Sequence, residues 1–193
     1  MNLLRATILR FDDWLSRTDG VIHFEDEPRI ILRIQRAAAS REIPLPDHGV
    51  PRGSPVLLVH LWNERMPAIA SQGADLGWAL GFKRRLLYSF GALALHMQRT
   101  VSMNDIHGVG GVIAHIHADI PDGGRLLLER LGFTILPYHR PAGAFGEFWE
   151  NFYTWVLIWA YNPGSLRSHA LPGLQRNEFW TTRERFLERF GQA

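Results

Sequence analysis

Residues 55–67, PVLLVHLWNERMP, read as a buried strand that leaves the core near its end. Residues 73–99, GADLGWALGFKRRLLYSFGALALHMQR, follow as a long helix. Then come a second strand (108–120, GVGGVIAHIHADI), a second helix (123–131, GGRLLLERL) and a third strand (132–138, GFTILPY). Strand, helix, strand, helix, strand with glycines at the turns is the pattern of an α/β sheet. The strand runs are short and nearly continuous in apolar residues, as expected where helices cover the sheet. The spacing therefore predicts a mixed sheet, with any site where the first of these strands ends.

Working outward, VIHFEDEPRIILRIQR (21–36) reads as two strands broken near Pro28, after a turn at Asp19-Gly20. Residues 40–55, SREIPLPDHGVPRGSP, carry four prolines and two glycines and read as a surface loop that covers an edge or borders a cleft. Residues 2–17 place Leu4, Ile8, Phe11 and Leu15 on one helical face. Such a helix packs on the domain or touches anionic lipid. Near the other end, EFWENFYTWVLIWAY (147–161) aligns Phe148, Phe152, Trp155 and Trp159 along one stripe. A helix apolar nearly all round is either buried or the wall of a lipid-binding groove. EFWTT (178–182) reads as a short strand, and Thr182 as the cap of a last helix with Glu184 in its first turn. The expectation is one domain over 1–193: an amphipathic helix within 1–20, an α/β core over 29–138 and a helical aromatic extension over 144–191.

Composition narrows the function classes. Hydrophobic residues make up 46% and charged ones 21%, a globular balance. Net charge is +2 with both signs interspersed, which argues against a nucleic-acid groove. The chain has no cysteine, so disulfides, thiolate catalysis and cysteine-based zinc sites are excluded. Arg5 and Arg10 interrupt the N-terminal apolar positions, and no run reaches the roughly 18 uncharged apolar residues of a spanning helix. A soluble cytoplasmic protein is expected, with at most peripheral membrane contact. Neither G-x-S-x-G nor G-x-G-x-x-G after a strand is present, so nothing points to a hydrolase elbow or a dinucleotide fold.

The chemistry-bearing residues gather at the end of the first core strand. His60, Asn63 and Glu64 stand there, and a bulge would bring them together, with His60 or Glu64 as base for an amine. A core histidine bonded to backbone, with Asn63 capping a turn, is the plainer reading. With period two, His60 and Trp62 share a face, and Trp62 becomes a substrate contact. His115 and His117 alternate on the neighbouring strand, as substrate contacts or, with His60 or Asp119, as a zinc set. Histidine pairs on strands are commonly not ligands, and no metal is expected. Gly108-Val109-Gly110-Gly111 lacks the P-loop Lys and Ser/Thr and reads as a tight turn into the strand. Lys83, Arg84 and Arg85 form either a solvated helix face or a phosphate or carrier-protein contact.

Two families share these motifs. From about Pro51 to Gly191 the chain resembles the YkoP-like domain: strand-borne His60-Leu61-Trp62-Asn63, the long helix, Glu129 to Phe133 (ERLGF) and the ending EFWTTRERFLERFG. That resemblance implies bacterial envelope, glycan or lipid metabolism, and no established activity. More distantly, the order strand, glycine turn, helix, strand, helix, Leu-Gly-Phe, strand resembles the core of the GCN5-related N-acyltransferase (GNAT) superfamily. It implies splayed parallel strands that admit a pantetheine arm, and acyl-coenzyme A or an acyl carrier protein as co-substrate, with no tightly bound cofactor. Gly77, Trp78 and Ala79 fall where that superfamily's phosphate-binding turn opens a helix, with Arg84 as a further phosphate contact. Ala74, Asp75 and Leu128 depart from its pattern, Leu128 standing where the superfamily has a tyrosine acid. Transfer to an amine on a lipid, sugar or small metabolite is the expected activity. A lipid- or glycan-binding module walled by Trp155 and Trp159 is the alternative, and a histidine-based metal hydrolase a further one.

Overall fold

The strand read from residues 55–67 lies third in a six-stranded sheet. The computed structural model describes residues 18, 20–67, 75–116, 123–139 and 174–192. Elements run β1 (Val21–Ile22), β2 (Leu32–Ala38), β3 (Pro55–Leu61), α1 (Leu76–Arg99), β4 (Gly108–Ile116), α2 (Gly123–Arg130), β5 (Thr134–Pro137), β6 (Leu174–Thr182) and α3 (Arg183–Phe190). Short 3-10 turns occupy Asn63–Arg65 and Val101–Met103. The N-terminal helix expected over 2–17, His117, and the aromatic run with Trp155 and Trp159 lie outside the described residues. Among the described residues, no helix is long and apolar enough to cross a membrane.

Sheet order is β1-β2-β3-β4-β6-β5. Two antiparallel blocks make it up. β3 pairs with β2 over seven registers, from Ala38↔Pro55 to Leu32↔Leu61, and β4 with β6 over nine, from Gly108↔Thr182 to Ile116↔Leu174. The blocks meet only through parallel β3 and β4, over three registers from Val56↔Gly108 to Leu58↔Gly110. The parallel register ends there, with the strands still adjacent one residue further on, where a Cβ on Gly111 would stand 2.6 Å from Val59 O.

Among the described residues, three helices cover one face. Leu86, Phe90, Leu93, Ala94 and Met97 recur at helical spacing on α1 and pack on Ile34, Leu57, Val59 and Val109. Phe90 is central: its ring centroid lies 5.3 Å from Phe133, 5.7 Å from Phe186 and 5.1 Å from Phe190. Buried Ser89 adds a polar tie, its Oγ accepting from Ile31 N at 3.0 Å and donating to Arg85 O at 2.8 Å. On the opposite face Ala39, Ile43, Val50, Val56 and Trp180 form a smaller cluster.

Several expectations are corrected. The proline-rich loop is not confined to the surface: the Ile43↔Val50 bridge buries both residues under the sheet. EFWTT is the end of a nine-residue strand inserted between β4 and β5, so residues 174–182 belong to the sheet and not to a helical extension. Gly108 to Gly111 lie inside β4 and not in a turn before it. A Cβ on Gly110 would stand 2.2 Å from Trp180 Cε3, and one on Gly111 2.6 Å from Val59 O. These glycines let β4 run flush against its neighbours. Thr182 does cap α3, its hydroxyl accepting from Arg185 N at 3.3 Å.

The Leu-Gly-Phe stretch also has a local cause. Gly132 has φ +90°, Phe133 N donates to Leu128 O at 3.0 Å, and Gly132 N donates to Glu129 O at 3.0 Å. That is a Schellman stop, which needs glycine at the left-handed position and an apolar residue after it. Leu131 and Phe133 are both buried.

Two measurements check this fold. Gly110→Ala should lower stability by about 1–3 kcal/mol through overpacking, read from urea unfolding. A wild-type midpoint would mean that Trp180 yields freely. Arg36 binds Asp105 through both terminal guanidinium nitrogens, and those bonds hold the Asp105 carboxyl below its usual pKa. A depressed folded pKa stabilises above the unfolded value and is lost as pH falls through the folded one. Asp105→Asn should therefore flatten the acid limb of melting temperature against pH while shifting the neutral value little.

Candidate functional site

Strand alternation sets the site. Ile34 and Val59 are partners and both belong to the helix-covered core, so the next pair, Arg33 and His60, belongs to the other face. Leu58 and Gln35 pair in the same row. The half-buried His60 places Nε2 3.0 Å from Gln35 Oε1. An amide oxygen only accepts, so Nε2 is the donor in this contact, and in the neutral ring it would leave the lone pair on Nδ1. Gln35 thus helps to orient the ring.

The bulge expected after His60 is absent: the β2–β3 register runs without an extra residue to Leu61, and Trp62 N continues it by donating to Ile31 O at 2.8 Å. The chain then turns through Asn63–Arg65. Glu64 is exposed on that turn, and of Asn63 only the backbone is described. His60, Asn63 and Glu64 are therefore not gathered by a bulge. Trp62 serves as a brace, with the His23 ring 3.8 Å from its own and the Arg65 guanidinium carbon 3.5 Å above it. Arg85 donates to Arg65 O at 3.1 Å and ties the turn to α1, so it is not one of a free basic trio. Lys83 and Arg84 are exposed.

At the start of α1 the expected phosphate cradle differs. Gly77 lies inside the first helical turn rather than in a turn before it, and Asp75 is the N-cap. Its Oδ1 accepts from Trp78 N at 2.7 Å, and its backbone carbonyl accepts from Ala79 N at 3.0 Å. A carboxylate thus holds the positive pole of the helix, where an incoming phosphate would bind. Trp78 stacks on Phe82 with centroids 5.4 Å apart and donates Nε1–H to Pro67 O at 3.0 Å.

Register also separates the histidines. Position 115 falls in the row of Val109 and Ile113, on the helix-covered face, whereas His60 stands on the other. A zinc set joining them would need both faces at once, and no group of three metal-ligating side chains occurs among the described residues.

Sequence reading missed two polar centres on the face of His60. Buried Glu178 accepts from Arg41 (2.9 Å), Trp180 Nε1 (2.9 Å) and His139 N (2.9 Å), which locks β6 to the loops around it. Its signal was the period-two spacing of Glu178 and Trp180. Arg33 is the other, flagged by Arg33 and Gln35 alternating with Leu32 and Ile34. Comparisons with protein-family models, with curated proteins and with solved structures found no match to this chain.

The tautomer is directly measurable. Nitrogen chemical shifts of neutral His60 should show the Nε2–H form, and Gln35→Leu should shift that ring towards a tautomer mixture. An unchanged spectrum would show that Gln35 does not orient it.

Proposed function

We propose that this chain is an acyltransferase-like protein that moves an acyl group from a carrier thioester, of coenzyme A or an acyl carrier protein, to an amine. The observation that carries this reading is the short parallel joint: β3 and β4 form the one parallel pair among the described residues, and their register ends two residues before His60. We read the strands as splaying beyond it into a seam. The succession β3-α1-β4-α2-β5 supports the likeness to the GNAT core, and the YkoP-like resemblance leaves the acceptor in envelope, glycan or lipid chemistry.

Alternation gives the seam its chemistry. Pro55 O accepts from His107 N on the β4 side, while Trp62 N turns to β2. Leu61 therefore directs its backbone N–H towards the seam, where it can polarise a thioester carbonyl. The acceptor nitrogen attacks that carbon, a C–N bond forms, and the His60 imidazole takes the amine proton. Collapse breaks the C–S bond, and the thiolate takes a proton from solvent, since Leu128 offers none. Asp75 disfavours a pyrophosphate at Gly77, Trp78 and Ala79. Exposed Lys83 and Arg84 supply the positive charge for a carrier's phosphate or acidic face instead.

Thiol release from acyl-coenzyme A and from loaded carrier protein, over a panel of amines, tests this reading. His60→Ala should lower kcat/KM by about 10²–10⁴-fold with an unchanged melt. No release with any carrier would remove the transferase reading. Binding of lipid or oligosaccharide in its place would favour the non-catalytic module built on Trp155 and Trp159.

A further inference from the structure

Arg33 is the one buried arginine among the described residues; Arg183 Nε also lacks a partner, but its Nη2 reaches Asn104 Oδ1 at 3.5 Å. Arg33 is 6% exposed, its Nε is buried without a hydrogen-bond partner, and no ion pair to it occurs among the described residues. The more exposed Arg29, Arg36, Arg41, Arg65 and Arg185 all reach a carboxylate. Guanidinium does not deprotonate in a protein, so burial cannot neutralise it. Burying part of a guanidinium without a partner is costly, and an anion drawn to Nε would offset that cost.

The surroundings define that anion. Arg33 is the direct cross-strand partner of His60, whose ring is held by Gln35 in the next row. On the other side, the β1–β2 register continued by one residue sets His23, stacked on Trp62, beside Arg33. One guanidinium supplies one planar fork and one charge. A carboxylate matches both, whereas a phosphate carries roughly −1.5 to −2 near neutrality and would leave charge unbalanced in a buried site.

We infer that Arg33 is the carboxylate-binding residue of this face, and that its ligand is an amine carrying a carboxylate, of the amino-acid class, with the amine directed to His60. The ligand's role as acyl acceptor rests on the transferase reading; the carboxylate site does not.

Calorimetric titration with alanine, alaninamide and phosphoethanolamine separates these statements. Alanine should bind about tenfold or more tightly than alaninamide, the worth of a charge-assisted pair, and Arg33→Met should erase the difference. Without ligand, Arg33→Met should melt no lower than wild type, because it removes an unpaired buried charge and keeps the aliphatic stem. Equal binding of alanine and alaninamide, preference for phosphoethanolamine, or a clear drop in the Arg33→Met melt would each overturn the carboxylate site. Intact alanine selectivity with no thiol release from any carrier would leave the site standing and remove only the acceptor role.

Discussion

The three-register joint between β3 and β4 is the constraint on which the molecule turns. Each strand has a stronger commitment elsewhere, seven registers to β2 and nine to β6. The aromatic cluster reinforces that joint. Phe90, from the helix that leaves the first block, meets Phe133, Phe186 and Phe190 of the second. Apolar packing on the helix-covered face therefore ties the two blocks together where their strand pairing is short.

Much of this order was legible in the sequence because the signals were local. Hydrophobic periodicity located β3, α1, α2 and β5, and Thr182 capped α3 as its residue type required. What escaped depended on pairing. EFWTT looked like a short strand because nothing local reveals that β4 lies on one side of it and β5 on the other. The glycines of β4 looked like a turn because the ring that needs their missing side chains, Trp180, is 70 residues away in the chain.

The candidate site was legible only in part. His60 lies near the end of β3, as its strand pattern indicates, yet its side-chain partner is Gln35 of the preceding strand, and no bulge gathers Asn63 and Glu64 to it. The Leu-Gly-Phe motif is accounted for by helix termination, so it carries less about ancestry than its position suggests. Asp75 shows the reverse case: a residue that looked out of place beside a phosphate turn is the cap that starts α1. Arg33 and Glu178 escaped because charged residues in strands are ordinarily solvent-facing, and only the folded sheet buries them.

The β3–β4 joint also bears on how the sheet could part. Exposed strand margins recruit other chains and seed aggregation, and proteins shield them. Here two well-paired antiparallel blocks meet along three registers, so this is the line along which the fewest ladder bonds would have to break for the blocks to separate. Phe90 and its ring partners lie across that line, and the packing that builds the core also guards it.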